Sequence, residues 1–259
     1  MSHLYRSLGP VRHAAPASLP LAFAARTVPL PQPAPPLPMR PFAWRIALRR
    51  AALALALLAA AGPWAFDVAR MQVAAQRLGP GAVAAIAPLQ ALLQQSAAQE
   101  EESQLATVNA WFNRRILFRD DQATWGEADH WASPLELLDK GQGDCEDFAI
   151  AKYFSLLALG VPVSRLRLVY VRLQSGAGGE GQAHMVLAYY PQPAAEPLIL
   201  DNLVGSVRPA SRRPDLTPVF SFNSEGLWQG VGAQSAGDPQ ARLSRWREVL
   251  AKAHAEGFF

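Results

Sequence analysis

The sequence predicts an α+β domain in which N-terminal helices and a later helix pack on an antiparallel sheet. Two observations carry this prediction. Apolar residues recur at helical spacing over residues 68–117, and the period changes to that of β-strands after residue 165. Half of the 259 residues are apolar and only 17% are charged, which is typical of a packed core and excludes a disordered chain.

The first 65 residues have the composition of a leader rather than of a folded domain. Residues 1–38 contain nine prolines, which favour extended polyproline geometry. Met39 is followed by four arginines, an apolar run over 51–61 and the small residues 59–61, in the order of a secretory signal peptide. We therefore expect a mis-assigned, Pro-rich extension over 1–38, with translation starting at Met39.

The same reasoning predicts a signal peptide over 39–65 and a mature domain over 66–259. The apolar run of 11 residues is shorter than the roughly 20 needed to span a bilayer. The alternative is a short inner-membrane anchor that begins near Ile46. A cleaved signal predicts a periplasmic protein.

The charge distribution follows this division. Seven arginines precede the first acidic residue, Asp67, so the mature domain keeps 17 of the 24 basic groups against all 21 acidic ones, a net charge of −4. The basic pI of about 9.3 therefore belongs to the leader and gives no reason to expect a nucleic-acid partner. Cys145 is the single cysteine, which excludes an intramolecular disulfide partner and multi-cysteine zinc sites.

Helices are predicted in three places. Residues 68–117 form a helical region punctuated by Pro80 and Pro88. A short helix starts at Pro134, with Ser133 as N-cap and Glu136 as its capping-box partner. The third predicted helix, at residues 144–159, is followed by Gly160 as a C-terminal cap. Loop tryptophans, Trp125 and Trp131, are interpreted either as part of a substrate groove or as buried loop anchors.

Three short apolar runs predict sequential antiparallel strands. They cover residues 166–173, 183–190 and 198–203, are rich in Val, Leu, Ile and Tyr, and are bounded by Gly, Pro and Gln. Residues 176–179 are interpreted as a hairpin loop rather than a phosphate-binding motif. The tail from Pro239 returns to helical spacing.

The sequence Gly-Gln-Gly-Asp-Cys-Glu-Asp at 141–147 places Cys145 in the first turn of a helix. Free backbone N–H groups and the helix dipole at that position favour a thiolate and can hold an oxyanion. The glycines allow a sharp turn and a close approach to substrate. The alternative is a small buried apolar residue. An exported free thiol flanked by three carboxylates argues against that alternative.

Partners for the thiol are available downstream. His184 opens an apolar strand, whereas His130 lies in a loop and His254 in the polar tail. Asp201 lies within the apolar run 198–203, where a carboxylate needs a partner. Cys145, His184 and Asp201 therefore form a candidate thiol-nucleophile triad. The alternatives are a core histidine and a strand-end turn aspartate.

The carboxylates of Asp144, Glu146 and Asp147 cap the helix in the simplest interpretation. Their charges nevertheless disfavour ionisation of Cys145. A hard cation would remove that repulsion, and calcium suits a loop of carboxylate and carbonyl oxygens. We therefore expect calcium as the cofactor, with these three residues as its candidate ligands.

The chain resembles the bacterial transglutaminase-like cysteine proteinases, and within them the periplasmic adhesin-processing proteases. The resemblance covers about residues 67–250 and rests on five ordered motifs, which are Trp131-x-Ser-Pro-x-Glu136, residues 141–154, Leu-Arg-Leu-Val-Tyr-Val at 166–171, His-Met-Val-Leu at 184–187 and Leu-Ile-Leu-Asp-Asn at 198–202. It implies a papain-like/transglutaminase-like fold and the same Cys145, His184 and Asp201 triad. It also implies calcium dependence, with Asp144 and Glu146 as ligands.

The resemblance further implies a substrate, a partner and a role. The substrate would be a large outer-membrane adhesin, cut near its N-terminal retention segment at a di-alanine site, which releases the adhesin and disperses a biofilm. The regulator would be an inner-membrane cyclic-di-GMP receptor whose periplasmic domain sequesters the protease. Two alternatives stay open: transglutaminase or amidase chemistry on the same triad, and a non-catalytic calcium-binding adaptor.

Overall fold

The computed structural model describes residues 66–174, 181–232 and 234–259. Within these ranges it has eight α-helices, namely α1 (Val68–Leu78), α2 (Pro80–Ser96), α3 (Glu101–Arg115), α4 (Asp121–Thr124), α5 (Pro134–Lys140), α6 (Cys145–Ala158), α7 (Pro239–Arg242) and α8 (Ser244–Ala255). None of the helices in the described ranges is long and apolar enough to cross a membrane. The predicted extension over 1–38 and signal peptide over 39–65 lie outside these ranges.

The helical region predicted at 68–117 is confirmed as α1, α2 and α3. Asp67 begins α1 by accepting a hydrogen bond from the Arg70 amide at 3.0 Å. Pro80 occupies the first turn of α2, where a missing amide costs nothing, and α2 then continues through Pro88. The chain leaves α3 in an extended conformation at Ile116.

The β-structure of the described ranges forms two sheets. The strands are β1 (Leu117–Phe118), β2 (Gln142–Gly143), β3 (Leu166–Leu173), β4 (Gln182–Tyr189), β5 (Leu198–Leu200), β6 (Arg208–Pro209), β7 (Leu216–Phe222), β8 (Leu227–Gln229) and β9 (Ser235–Gly237). β1 and β2 pair in parallel, and the other seven form an antiparallel sheet in the order β6-β5-β4-β3-β7-β8-β9.

The three predicted strands are confirmed as β3, β4 and β5, with differences at their ends. β4 covers residues 182–189 rather than the predicted 183–190. The run at 198–203 ends as a strand at Leu200, so Asp201 lies just beyond β5. The sequence did not predict β7, which pairs with the other side of β3 and so makes β3 and β4 central. The predicted hairpin loop at 176–179 lies outside the described ranges.

Helix α6 packs directly on β4 and β3. It begins at Cys145, one residue after the predicted start, with Asp144 as its N-cap, and 11 of its 14 residues are buried. The predicted C-terminal cap, Gly160, has a left-handed φ of 88°. Trp246 of α8 is fully buried, stacks on Phe154 at 5.8 Å and donates from Nε1 to the Asn223 carbonyl at 3.1 Å. The C-terminal helix therefore closes the core on the side of α6.

Helix α5 leads directly into the segment before Cys145. The predicted capping box is confirmed, since the Ser133 amide donates to Glu136 at 2.8 Å and the Glu136 amide to the Ser133 hydroxyl at 3.3 Å. The buried Glu256 carboxylate accepts from the Leu135 amide at 3.1 Å and from the Ser133 hydroxyl. The end of α8 therefore holds the start of α5.

Candidate active site

Cys145 stands at the start of α6, on a segment fixed from two sides. Gly141 turns the chain out of α5 with a φ of 64°. Its carbonyl accepts from the Leu117 amide at 3.0 Å, and the Gly143 carbonyl accepts from the Arg119 amide at 2.9 Å. The pairing of β1 with β2 thus sets the position from which the helix begins, and the thiol stands among the free amides of the first turn.

His184 and Asp201 are brought together as the sequence analysis proposed. His184 is the third residue of β4, and its Nε2 lies 2.9 Å from Asp201 Oδ1. The same oxygen accepts from the Leu203 amide at 3.0 Å, and the Asp201 carbonyl accepts from the Asn113 side-chain amide at 2.7 Å. Asp201 is therefore both a turn residue at the end of a strand and the partner of His184.

Cys145 and His184 line one cavity of about 340 Å³. Trp131, the residues next to Cys145 and the start of β4 form its walls, which are completed by Phe118, Asp120, Asp129, Asp144, Glu146, Tyr170, Gln182, Ala183 and Met185. No hydrogen bond joins the thiol to the imidazole within the described residues. The Sγ atom of Cys145 instead donates to Glu146 Oε2 across 3.0 Å.

The two loop tryptophans have different positions. Trp131 lines the cavity and stacks on Phe222 at 5.7 Å between ring centroids. Trp125 stacks on His130 at 4.1 Å, with the Lys140 ammonium 4.9 Å from its ring, and is not part of the cavity wall. Trp131 is therefore placed to contact a substrate, and Trp125 anchors its loop.

The candidate metal ligands form part of a larger acidic cluster. Asp144 and Glu146 each bring a carboxylate oxygen within 4.8 Å of the Cys145 sulfur and of each other. Asp121, Asp144 and Asp147 form a second such group, and Asp121, Asp129 and Glu146 form a third. The sequence analysis missed Asp121 and Asp129. They belong to the segment between α3 and α5, which is distant in sequence from Cys145 and reaches it only through folding.

Burial and mutual repulsion act against ionisation of Asp144, Asp121 and the Cys145 thiol. Burial first, and then the charges of Glu146 and Asp147, raise the pKa of Asp144 to about 10. Burial and the neighbouring Glu146 raise the pKa of the Cys145 thiol well above its ordinary value, while the Met185 amide acts in the opposite direction. Burial also raises the pKa of Asp121. Such a cluster is stabilised by a positive charge.

The cluster fits a hard divalent cation. Oδ1 of Asp121 and Oδ1 of Asp144 are buried without a hydrogen-bond partner, and Asp121 is only 3% exposed. Oxygen atoms that are buried without a donor are costly unless a cation binds them. Asp147 differs from them, since its two oxygens accept from the Ala132 amide at 2.8 Å and the Asp144 amide at 3.4 Å. Those two bonds hold the loop before α5 against the start of α6.

The sequence analysis also missed Arg213, which contacts Asp201. Arg213, which is 5% exposed, donates from Nη1 to Asp201 Oδ2 at 2.7 Å. Burial raises the pKa of Asp201, but hydrogen bonds from His184, the Leu203 amide and Arg213 outweigh it, and the pKa is about 2. Arg213 directly follows a short 3₁₀ turn at 210–212, and no local sequence pattern indicates its contact with Asp201.

The chain is similar to a family of cysteine proteinases and to solved protein structures. The family described as bacterial transglutaminase-like cysteine proteinase matches residues 87–218. Among curated proteins, no sequence matches the chain. Three solved structures of LapG from Legionella pneumophila are similar to this chain and cover 72% of it. The EGTA-treated form has 39% identity, a TM-score of 0.63 and 97% of its own chain covered.

The other two forms agree closely with the first. Calcium-bound LapG has 38% identity, a TM-score of 0.62 and 98% of its chain covered, and a third LapG structure has 38%, 0.61 and 97%. These relatives and the mixed architecture described above confirm the predicted α+β, transglutaminase-like fold.

Proposed function

Because this chain belongs to the bacterial transglutaminase-like cysteine proteinases, we propose that it is a calcium-dependent cysteine endopeptidase that uses Cys145, His184 and Asp201. The observation that carries the proposal is the bond of 2.9 Å between His184 and Asp201 beside a cavity that also holds the thiol. Cysteine, histidine and a buried carboxylate in one site are the parts of a thiol-nucleophile triad.

Each side chain has one task in the proposed reaction. Asp201 accepts a hydrogen bond from the Nε2–H group of His184, which leaves Nδ1 as the base that takes the proton of the Cys145 thiol. The sulfur attacks the scissile carbonyl, and the amides of the first turn of α6 stabilise the oxyanion. His184 then donates its proton to the leaving amine, and water hydrolyses the resulting thioester.

The calcium site uses the acidic cluster. Asp144, Glu146 and Asp147 are the proposed ligands, and the buried, unpartnered Oδ1 of Asp121 adds a fourth carboxylate. Calcium takes six to eight oxygens, so carboxylates from two segments suit it. When bound, it supplies positive charge beside the thiol. The existence of a calcium-bound form of the similar LapG supports the choice of metal.

The biological role rests on the family resemblance and the leader. The proposed signal peptide over 39–65 exports the protein to the periplasm, where it cleaves the N-terminal region of a large surface adhesin. Release of the adhesin controls biofilm dispersal. The proposed regulator is the periplasmic domain of an inner-membrane cyclic-di-GMP receptor, which sequesters the protease.

Incubation of the purified protein with an N-terminal adhesin fragment tests the activity. We expect two fragments whose summed mass exceeds that of the substrate by one water. EGTA should abolish the cleavage, excess calcium should restore it, and Cys145→Ala should remove it while the circular dichroism spectrum stays unchanged. Full activity in EGTA would refute calcium dependence.

The same experiment separates the alternatives. A cross-linked product of higher mass, formed with an added amine, would show acyl transfer to an amine rather than to water. Absence of any product, together with a Cys145→Ala variant that still restores biofilm dispersal in a strain lacking the protein, would show a non-catalytic adaptor.

A further inference from the structure

Arg213 lies directly behind the proposed triad, on the side of Asp201 away from His184. Its Nη1 donates to Asp201 Oδ2 at 2.7 Å, and the two side chains are 4% and 1% exposed. The two oxygens of Asp201 thus have different partners. Oδ1 accepts hydrogen bonds from His184 and the Leu203 amide, and Oδ2 accepts one from Arg213. A carboxylate held at both oxygens has one orientation.

Asp215 holds the guanidinium from the opposite side. It accepts from Arg213 Nε at 3.0 Å and from Nη2 at 2.7 Å, a bidentate pair. The Asp215 carbonyl in turn accepts from the Gln174 amide at 2.8 Å, which fixes this segment to the end of β3. Because the guanidinium is planar and rigid, two anchored nitrogens set the direction of the third, which points at Asp201.

The charges around Asp201 come from three different elements. Arg213 and Asp215 lie in the segment between β6 and β7, His184 is on β4, and Lys152 of α6 is buried. Arg213 is the cation that contacts the carboxylate directly, whereas Lys152 acts through its charge and has its ammonium 5.6 Å from the Phe148 ring centroid. A carboxylate that is 1% exposed needs such a partner to stay ionised.

We propose that Arg213 is a positioning residue that orients Asp201 so that neutral His184 carries its proton on Nε2 and keeps Nδ1 free as the base for Cys145. This inference rests on the triad of the proposed function. Arg213 is not among the residues that line the cavity of Cys145 and His184, so its effect on the reaction passes through Asp201.

A positioning role predicts that loss of Arg213 lowers kcat and leaves KM nearly unchanged. In Arg213→Gln, Asp201 loses its charge-assisted bond and is free to rotate, so His184 populates both neutral tautomers. We expect kcat to fall at least tenfold with KM changed less than twofold. Arg213→Lys keeps the charge but cannot make the forked contact to Asp201 and Asp215 together, and it should recover part of the loss.

The test measures kcat, KM and the ¹⁵N chemical shifts of the His184 ring in the full-length, calcium-loaded protein. The shifts should show the Nε2–H tautomer in the wild type and a mixture in Arg213→Gln. Arg208→Gln is the control, because Arg208 is an exposed arginine on β6 whose side chain bonds to Ser206 and to no other side chain among the described residues. An Arg213→Gln variant with wild-type kcat and tautomer would overturn the proposal.

Two further results keep the test decisive. If Arg213→Gln does not fold, Asp215→Asn and Arg213→Lys replace it, because Asp215 is 35% exposed and both changes are mild. We expect a smaller fall in kcat and a partial tautomer mixture in both; wild-type values in both would overturn the proposal.

The tautomer readout does not depend on any substrate. A protein that cleaves no adhesin but changes tautomer in Arg213→Gln would contradict the proposed function and support the positioning role. A protein that cleaves adhesin equally well with and without Arg213 would support the proposed function and contradict the positioning role.

Discussion

The Cys145 thiol donates a hydrogen bond to the carboxylate of the next residue, Glu146, across 3.0 Å. The same carboxylate belongs to two of the acidic groups in which ligand atoms lie within 4.8 Å of one another. Glu146 therefore links the proposed nucleophile to the proposed calcium site. A change at Glu146 should affect metal binding directly, because each carboxylate removed lowers the charge that holds the cation.

Replacing Glu146 by Gln should weaken calcium binding by at least tenfold, measured by isothermal titration calorimetry on protein stripped with EGTA. The substitution keeps the size of the side chain but removes its charge. Glu102→Gln, an exposed change in the first turn of α3, is the matched control and should bind calcium as the wild type does. Unchanged affinity in Glu146→Gln would remove Glu146 from the ligand set.

Gly143 shows why a residue without a side chain stands two positions before Cys145. A Cβ added there would lie 2.5 Å from Asp147 Oδ2 and 2.6 Å from Leu137 Cδ1. The close approach inferred from the sequence is thus to the protein's own side chains. Gly143→Ala should destabilise the fold by about 1–3 kcal/mol and lower kcat, because Asp147 and the start of α6 must shift.

Urea unfolding and peptidase assays measure both effects of Gly143→Ala. Gly205→Ala is the control, since a Cβ at Gly205 meets nothing within 4 Å. Equal stability and activity in the two variants would show that the segment before Cys145 adapts without cost.

Local patterns were sufficient to predict most of the elements that build the site. The capping box of α5, the start of α6 to within one residue and the bounds of β3 depend on neighbouring residues and were predicted from them. His184 and Asp201 were paired because a carboxylate in an apolar run needs a partner. These are the cases in which the sequence itself carries the physical constraint.

The features that were missed depend on long-range packing. β7 inserts beside β3 although more than 40 residues separate them, and its strand pattern is interrupted by Pro218 in the middle of three consecutive exposed residues. Asp121 begins the four-residue helix α4, and Arg213 lies in the connection between β6 and β7. Neither a period nor a motif there indicates contact with the site. In the folded chain, Asp121 completes the acidic cluster and Arg213 contacts Asp201.

Lys152 is a lysine with an ammonium group buried in the core, and it should make stability depend on pH. Burial lowers its pKa from 10.5 to about 7, and the charge of Asp201 acts in the opposite direction. Between pH 7 and 10.5 the unfolded chain binds more protons than the folded one, so this residue makes the free energy of unfolding rise with pH. Below pH 7 the buried charge is most costly.

Lys152→Met should therefore be more stable than the wild type at pH 6, with a difference that shrinks by pH 9. Urea unfolding at the two pH values measures it, and Lys140→Met, which changes an exposed lysine, should show no such trend. A less stable Lys152→Met at pH 6 would show that attraction to Asp201 outweighs the cost of burial.

Glu256 should contribute a pH dependence of the opposite sign. Its carboxylate is 5% exposed, and burial raises its pKa from 4.5 to about 7, although bonds from Ser133 and the Leu135 amide lower it. The folded chain then binds more protons than the unfolded one between pH 4.5 and 7. The contribution of Glu256 is thus fully present below pH 4.5 and is lost as the pH rises through 7, by up to about 3 kcal/mol.

Glu256→Gln removes this titration but keeps an oxygen for the Leu135 amide. We expect the free energy of unfolding to fall less between pH 5 and pH 8 in Glu256→Gln than in the wild type, measured by urea unfolding in EGTA. Glu248→Gln is the matched control and should follow the wild type, because Glu248 lies on the exposed side of α8. If Glu256→Gln and the wild type have equal slopes, the carboxylate at the start of α5 stays ionised in the folded protein, and the link between α8 and α5 does not respond to pH.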